Sequence, residues 1–308
     1  MGSKATRLAF GEALVRLAGE NRDIVVLDAD LSKSTMTDLF AQKYPDRFFD
    51  VGIAEGNMVG MGAGMALAGN IPFICSFSCF VGGRFEQIRM SVGYNRANVK
   101  IVGTHSGIGI GEDGYSQMAV EDIALMRTLP NMAVIQPGDA VETERALEYI
   151  VAHKGPVFLR LTRQKVEDIN PPDYRFQFGK GVTLRDGGDL TIMGTGGVLG
   201  HAIKAAERLA KKGIEAGVVN IHTLKPLDRD LIAELVVRHG RIVTVEDHGL
   251  VGGLGSAVAE VVVEIGRGQV GRLAVNDYAE SGDSDGLYKK YGLSEEHIEA
   301  KALELLQD

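Results

Sequence analysis

Four short motifs in the first half of the chain concentrate side chains that bind ligands or exchange protons. Each motif follows, or lies just beyond, the C-terminal end of a predicted strand. Open α/β sheets bind their ligands at that edge, so the motifs predict a functional site there. The motifs are Asp28-Ala-Asp-Leu-Ser-Lys-Ser34, Asp50-Val-Gly-Ile-Ala-Glu-Gly-Asn57, Ser76-Phe-Ser-Cys-Phe80 with Gly83-Arg84, and Thr104-His-Ser-Gly-Ile-Gly-Ile-Gly-Glu-Asp-Gly114.

The elements that hold these motifs alternate between short apolar blocks and amphipathic blocks. Short continuous strands between helices are typical of a parallel sheet that is covered on both faces. The pattern therefore predicts an α/β fold for the first half of the chain. The predicted strands are 24–27, 71–76, 99–102, 132–135 and 157–161, and the predicted helices are 5–18, 58–68, 85–94, 120–127 and 140–152.

The alternation breaks between 164 and 188, where Asn170-Pro-Pro-Asp173 and Arg185-Asp-Gly-Gly-Asp189 are turn signals. A second alternating set follows, with predicted strands at 190–193, 216–219 and 242–245 and predicted helices at 202–211, 229–237 and 256–265. We therefore expect two consecutive α/β domains with mainly parallel sheets. Their predicted bounds are 1–165 and 189–308, with a linker at 166–188.

Composition and charge narrow the class of protein. Of the 308 residues, 45% are hydrophobic and 24% are charged, as in a globular protein with a substantial core. The formal net charge of −8 argues against a nucleic-acid surface, although a few local arginines can still hold an anionic substrate. No apolar run is long enough to span a bilayer, and the N-terminus lacks a signal-peptide block. Cys75 and Cys79 stand in an apolar stretch, so we expect buried free thiols and a cytoplasmic protein.

The predicted helix after Glu55 carries a stripe of glycines. Gly56, Gly60 and Gly64 lie four residues apart and share one helix face. Glycine inside a helix costs about 1 kcal/mol relative to alanine, so a stripe of them needs a reason. The sequence leaves two reasons open: close approach of another backbone or a ligand, and tight packing against the chain's own sheet.

Taken together and in order, the motifs resemble those of the transketolase family. The resemblance extends from Ala5-Thr-Arg7 to Tyr291-Gly-Leu293, and the run Gly111-Glu-Asp-Gly-Tyr-Ser-Gln-Met-Ala-Val-Glu-Asp122 is especially similar to animal transketolases. It implies a thiamine-diphosphate pyrimidine-binding domain followed by a transketolase C-terminal domain. It also implies transfer of a two-carbon ketol unit from a ketose phosphate to an aldose phosphate.

The resemblance implies that Glu55 supplies the proton that the aminopyrimidine ring of the cofactor needs. This residue matches the family's glutamate, which holds a proton against N1′ of the aminopyrimidine ring. An apolar setting, such as Met58 and Val59 provide, favours the protonated form of a carboxyl group. Taken by itself, a glutamate in the first turn of a helix is better explained by the helix dipole.

The resemblance assigns three further cofactor contacts. Phe77 and Phe80 match aromatic residues beside the aminopyrimidine, where a flat apolar ring is needed. Phe80 is the stronger candidate, because Phe77 is equally well explained as a core residue. Asp30 matches an aspartate close to the cofactor, and Gly83 stands where the family has a third aromatic residue.

The resemblance also assigns a set of ligands for the sugar phosphate. The planar fork of arginine suits phosphate oxygens, and hydroxyl and imidazole groups add donors. Each residue has an ordinary alternative explanation as a surface charge, a helix cap or a loop histidine. The four are Arg7, Ser34, His105 and Arg163.

Two more positions concern the donor sugar. Asp113 matches the aspartate that contacts the C2 hydroxyl group, although an aspartate before a glycine is also a common turn residue. Gln117 stands where many microbial members have histidine and animal members have glutamine. The resemblance thus implies that Glu55, His105 and Asp113 take part in catalysis, and it leaves the exact sugars open.

The family's motif for the cofactor diphosphate and its Mg²⁺, Gly-Asp-Gly with a downstream asparagine, has no match in the sequence. The chain is also about half the length of a one-chain transketolase. We therefore expect a separate subunit to carry the diphosphate and Mg²⁺ site, an active site shared between the chains, and two copies of each chain in the assembly. No metal site is expected on this chain.

Other functions remain as alternatives. One is the β subunit of another thiamine enzyme, such as a 2-oxo-acid dehydrogenase or a deoxyxylulose-phosphate-synthase-like enzyme. Gly194-Thr-Gly-Gly-Val-Leu-Gly200 resembles a dinucleotide fingerprint, but leucine replaces its third glycine. A non-catalytic assembly subunit is a further alternative. His222, Asp247 and His248 are predicted to be turn and loop residues of the second domain.

Overall fold

The computed structural model describes residues 2–307 and has two large, mainly parallel sheets covered by helices, which confirms the predicted fold class. The strands are β1 Ser3–Ala5, β2 Ile24–Asp28, β3 Phe48–Asp50, β4 Ile71–Phe77, β5 Lys100–Thr104, β6 Ala133–Ile135, β7 Val157–Arg160, β8 Lys165–Glu167, β9 Val182–Arg185, β10 Leu190–Gly194, β11 Ala216–Asn220, β12 Thr223–Lys225, β13 Arg241–Gly249 and β14 Gln269–Val275.

The helices flank these strands. They are α1 Thr6–Glu20, α2 Ser32–Thr35, α3 Asp38–Lys43, α4 Glu55–Leu67, α5 Ser78–Gly82, α6 Phe85–Gln87, α7 Asp122–Thr128, α8 Ala140–Ala152, α9 Leu199–Ala210, α10 Arg229–His239, α11 Leu254–Ile265, α12 Ser284–Lys290 and α13 Glu295–Gln307. A π-helical segment, Ile88–Tyr94, continues α6, and short 3₁₀ turns include Ile108–Ile110 and Tyr115–Gln117.

The first sheet has seven strands in the order β12-β6-β7-β5-β4-β2-β3, and all its strands are parallel except β12. Successive side chains of a strand point to opposite faces. In β2, Val25 and Leu27 pack into the core on the α4 side, while Ile24 and Val26 pack with α1 on the other side. Both faces of the sheet are therefore buried, as the apolar strands predict.

The second sheet has five strands in the order β14-β13-β10-β11-β9, with only β9 antiparallel. Within the segment predicted as a linker, 166–188, β9 pairs with β11 and so belongs to the second sheet. At the start of that segment, β8 pairs with β1. In the other direction, β12 from the second half pairs with β6 of the first sheet. A strand of the second half thus lies in the sheet of the first half, and this pairing joins the two halves.

The prediction that Asp247 and His248 are turn and loop residues is wrong, because both lie in β13 with 3% and 0% exposure. Because both residues are polar, the sequence does not show that the strand continues through them. Their burial is possible because they accept hydrogen bonds across the contact between the two halves. His222 does lie in the short connection between β11 and β12. None of the helices within 2–307 combines the length and the apolar character needed to cross a membrane.

Candidate functional site

Five neighbouring parallel strands of the first sheet end at the same edge, and the predicted motifs follow those ends. The register places Asp28 beside Cys75 and Phe77 beside Thr104. The N-terminus of α1 is drawn to this edge because the Thr6 hydroxyl accepts the backbone N–H of Thr162 at 2.8 Å, just after β7. The loops after five strands and the first turn of α1 therefore meet in one place.

Residues that lie far apart in the sequence converge there, and we call Arg7, Ser34, His105 and Arg163 the anion set. Nη1 of Arg7 donates to the Ser34 carbonyl oxygen and, at 3.2 Å, to Nε2 of His105. Nη1 of Arg163 donates to the Ile110 carbonyl oxygen at 2.9 Å. Burial lowers the pKa of Arg7, and the positive charge of Arg163 lowers it further. The backbone of Ser34, not its hydroxyl, makes its bond to Arg7.

His105 is a neutral imidazole held in a fixed orientation. It is 2% exposed and adopts a left-handed backbone conformation, with φ of +56°. Burial and the charges of Arg7 and Arg163 lower the pKa of His105 to about 3. Because Arg7 donates to Nε2, the ring proton is on Nδ1, which lies 2.9 Å from the Thr104 hydroxyl oxygen. An uncommon backbone conformation at a non-glycine residue is typical of functional sites.

Asp28, which the sequence did not single out as a site residue, shapes the loop that carries Asp30 and Ser34. Its carboxylate is fully buried and accepts the Leu31 N–H at 2.7 Å and the hydroxyls of Thr35 and Thr37 at 2.7 and 2.9 Å. Burial raises the pKa of Asp28 despite these donors. The pattern of an aspartate at a strand end followed by two threonines was the available signal.

Glu55 is the first residue of α4 and is only 7% exposed. No donor within residues 2–307 hydrogen-bonds to its carboxylate. Although the side chain as a whole is largely buried, the carboxylate oxygens reach the surface of the site, where they are open to a ligand. Met58 and Val59 beside it are fully buried, so the apolar setting expected from the sequence is present.

The glycine stripe of α4 points away from the chain's own sheet. A Cβ at Gly60 or Gly64 would meet no atom within 4 Å, and one at Gly56 would only reach Arg84 at 4.0 Å. It is the neighbouring Gly62 that packs on the sheet, where a Cβ would lie 2.6 Å from Ile74. Of the two explanations for the stripe, packing against the chain's own sheet is therefore wrong.

The two predicted aromatic contacts differ in their surroundings. Phe77 is 7% exposed, and its ring stacks on Phe80 at 5.5 Å and on His105 at 3.7 Å between centroids. Phe80 lies in α5 and is only partly buried. Phe77 thus links the aromatic pair to the anion set, while Phe80 retains surface for a ligand ring.

The remaining predicted residues lie on the loops that follow β2 and β5. Asp113 is exposed, and its negative charge acts on the pKa of Arg7. Gln117 is partly buried and bonds to Ser116. Asp30 is exposed, has φ of +63°, and donates its backbone N–H to Asp50 at 3.1 Å.

A buried ion pair supports the aromatic pair from behind, and sequence reasoning missed it. Arg160 Nε donates to Asp122 Oδ2 at 2.7 Å, and the Ser78 hydroxyl donates to the same oxygen at 2.5 Å. Burial acts to raise the pKa of Asp122, but the Arg160 guanidinium outweighs it and the pKa is lowered. Ser78 lies between Phe77 and Phe80, so the pair fixes the start of α5. A charged residue within the apolar strand β7 was the only signal in the sequence.

The fold and the site define an α/β protein with a cationic, aromatic-lined site at the carboxyl edge of its first sheet. Two family models match the chain: the transketolase pyrimidine-binding domain over residues 2–168 and the transketolase C-terminal domain over residues 179–298. The chain therefore belongs to the transketolase family, and it is a chain of a transketolase-type enzyme.

Two relatives and one solved structure match nearly end to end. A Methanocaldococcus jannaschii protein provisionally named transketolase C-terminal section is 46% identical over 306 residues, covering 98% of this chain and 96% of that protein. A 6-deoxy-6-sulfo-D-fructose transketolase subunit from Clostridium sp. is 40% identical over 303 residues, covering 98% and 94%. The structure of a split-gene transketolase, described as an inactive β4 tetramer, matches with a TM-score of 0.92 at 46% identity and 98% coverage of both chains.

The family implies thiamine diphosphate and a divalent metal. The residues at the sheet edge fit the pyrimidine end of this cofactor, because the Glu55 carboxylate is open to a ligand at the surface of the site and Phe80 offers part of its ring. Between residues 2 and 307 there is no group of three His, Cys, Asp or Glu side chains placed to hold a metal ion.

Proposed function

We propose that this chain is one subunit of a thiamine-diphosphate-dependent transketolase. The complete enzyme would transfer a two-carbon ketol unit from a ketose phosphate to an aldose phosphate. The observation that carries the proposal is the anion set, in which Arg7 hydrogen-bonds to His105 and the charge of Arg163 also lowers the pKa of His105. Two guanidinium groups that keep N–H donors free suit a phosphate dianion, and a neutral imidazole beside them adds a polar partner.

Each site residue then has a role that its surroundings support. Glu55 would donate a hydrogen bond or a proton toward N1′ of the aminopyrimidine, since its carboxylate has no hydrogen-bond partner within residues 2–307 and is open to a ligand. Phe80 lies beside that ring, with Phe77 packed behind it. When bound, the cofactor supplies the carbanion chemistry, while the protein orients the reactants and moves protons.

Residues on the loop after β5 would select the donor. The negative charge of Asp113 acts on Arg7, and Asp113 would contact the C2 hydroxyl of the sugar. Gln117 follows it in the same loop. Asp30 lies on the neighbouring loop at the cofactor side. We assign catalysis to Glu55, His105 and Asp113, which also bind the cofactor or the sugar phosphate, and binding alone to the others.

A second subunit would supply the diphosphate and Mg²⁺ site, in an assembly with two copies of each chain. The relatives named as a C-terminal section and as a split-gene transketolase support this arrangement. So does the outer face of α4, where the glycine stripe has open space around it. Both thiols are free, Cys75 buried as expected and Cys79 only partly buried, and free thiols fit a reducing compartment such as the cytoplasm.

The test is ketol transfer from xylulose 5-phosphate to ribose 5-phosphate with thiamine diphosphate and Mg²⁺. The chain is assayed alone and then with increasing amounts of the partner subunit encoded beside it. We expect activity only in the pair, saturating at equal amounts of the two chains. Activity of the chain alone would contradict the shared site.

A sulfonated ketose is the informative second donor, because one relative is named for such a substrate. A sulfonate carries one negative charge where a phosphate carries close to two, so two guanidinium groups match the phosphate better. A higher kcat/KM for the sulfonated donor would overturn the choice of a sugar phosphate. Pyruvate decarboxylation without ketol transfer would favour a 2-oxo-acid dehydrogenase instead.

A further inference from the structure

Asp247 is a buried carboxylate that connects β13 of the second sheet to the loop after β5. It is 3% exposed. Its Oδ1 accepts the backbone N–H of Ile108 at 2.7 Å, and its Oδ2 accepts that of Gly109 at 3.1 Å. The hydroxyl of Tyr288 in α12 also donates to Oδ2, at 2.8 Å. One side chain of the second half therefore holds two consecutive amides of the first.

The loop reaches this carboxylate because residue 107 is glycine. Gly107 has φ of +72°, and a Cβ at this position would lie 2.2 Å from the Asp247 carboxylate. At Gly109, a Cβ would lie 2.3 Å from the Tyr288 hydroxyl oxygen. The Ser284 hydroxyl, also in α12, donates to the Gly109 carbonyl oxygen at 2.8 Å. The turn is thus held on its N–H side and on its carbonyl side by residues of the second half.

The same turn carries or supports two members of the anion set. His105 lies two residues before Gly107, and Arg163 donates to the Ile110 carbonyl oxygen at the end of the turn. Asp247 hydrogen-bonds to neither side chain. A shift of Ile108–Ile110 would nevertheless move the imidazole and the guanidinium relative to Arg7.

We propose that Asp247 is a positioning residue: by holding the turn Ile108–Ile110, it keeps His105 and Arg163 in the geometry that binds the donor's phosphate. This inference rests on the proposed function and deepens it. It gives the second domain a part in substrate binding, although that domain supplies no side chain to the anion set. Misplacing binding groups by about 1 Å can cost about a hundredfold in rate, so the effect is measurable.

The variant is Asp247→Asn, which keeps the size of the side chain but turns an N–H₂ group toward backbone donors. In the complete two-subunit enzyme we expect kcat/KM for the phosphorylated donor to fall between about tenfold and a hundredfold, mainly through KM. With the same ketose lacking its phosphate, the fall should be at least about threefold smaller, because the phosphate contacts are absent from both enzymes and only the loss that comes through the catalytic role of His105 remains. Tyr288→Phe removes one donor to Oδ2 and should change the ratio in the same direction by a smaller factor.

Glu246→Gln is the matched control. Glu246 precedes Asp247 in β13, is 1% exposed and accepts two backbone N–H groups, from Leu254 at 2.6 Å and Gly255 at 2.8 Å. Those amides belong to α11, so this variant removes an equivalent buried carboxylate without touching the turn. We expect it to leave the ratio of the two donors unchanged. An equal change of that ratio in both variants would overturn the positioning role.

A readout without turnover separates this inference from the proposed function. In Asp247→Asn, amide hydrogen exchange should accelerate at least about tenfold in a peptide that spans 105–112, whereas Glu246→Gln should accelerate exchange near 254–255. If exchange at 105–112 does not change, Asp247 does not hold the turn, and the inference fails whatever the activity. If exchange changes as expected but the wild-type pair shows no ketol transfer, the proposed function fails instead.

Discussion

Replacing Arg7 by alanine tests the anion set most directly. Arg7 lies in the first turn of α1, and its Nη1 bridges the Ser34 carbonyl oxygen and His105 Nε2. A hydrogen bond to a charged group contributes about 1.5–3 kcal/mol. Since 1.4 kcal/mol corresponds to a factor of ten, loss of about 2 kcal/mol lowers kcat/KM for a phosphorylated donor about 30-fold.

The assay compares the ketose phosphate with the same ketose lacking its phosphate, in the two-subunit enzyme. The loss should appear with the phosphorylated donor, mainly as a higher KM, and be near twofold or less with the other. Arg16→Ala is the control: Arg16 lies on the same helix and pairs at 2.8 Å with Glu148, its side chain 46% exposed. An exposed pair contributes about 0.2–1 kcal/mol to stability, so this variant should keep its activity.

Equal losses with both donors would refute the reasoning, since Arg7 would then support the fold of the site without binding phosphate. A second signature comes from His105. Burial is the main cause of its low pKa and the Arg7 charge comes next, so the pKa of His105 should rise in the variant while staying below its ordinary value. An unchanged imidazole titration by NMR would show that the two side chains do not interact in solution.

Three further changes test other parts of the argument. Glu55→Gln should lower ketol transfer by about a hundredfold or more, because proton transfer by a positioned side chain contributes about that much, and should leave the denaturation midpoint nearly unchanged. The pKa of His105 in the folded chain, about 3, lies below its ordinary value. Between these two values the imidazole is protonated in the unfolded chain and neutral in the folded chain. Stability is therefore lost as pH falls from about 6.5 toward 3, and His105→Asn should reduce the slope of unfolding free energy in urea by about 1.4 kcal/mol per pH unit between pH 4 and 6. Gly62→Ala should destabilise the chain by about 1–3 kcal/mol, since its Cβ would meet Ile74 at 2.6 Å, whereas Gly60→Ala, with open space around it, should stabilise the isolated chain by about 1 kcal/mol.

Each of these three has its own contrary outcome. Full activity of Glu55→Gln would favour a non-catalytic assembly subunit. An unchanged pH slope in His105→Asn would mean that the imidazole is not buried neutral in solution. If Gly62→Ala and Gly60→Ala had the same effect on unfolding, α4 would not pack on the sheet through Gly62.

The sequence predicts that the candidate residues lie at one edge of the first sheet, because they follow strand ends. Apolar strands such as Ile24–Leu27 and Ile71–Ser76 are buried on both faces, so their position can be read from local composition alone. Parallel strands then bring their carboxyl ends to one edge, which explains why His105 and Ser34 meet Arg7. Local pattern also explains the smaller errors, because α4 begins at Glu55, three residues before its first buried apolar residue.

The sequence by itself thus determined the α/β fold class, the sheet edge at which the candidate residues lie and the residue types that collect there. These follow from hydrophobic periodicity and from short motifs, both of which are local. Only the tertiary structure decided that β12 joins the first sheet and that Phe77 stacks on both Phe80 and His105. It also decided that Asp247 accepts hydrogen bonds from the turn Ile108–Ile110. The physical reason is the same in each case. These contacts join residues that are distant along the chain, and a polar residue such as Asp247 is buried only because a partner 139 positions away satisfies its hydrogen bonds.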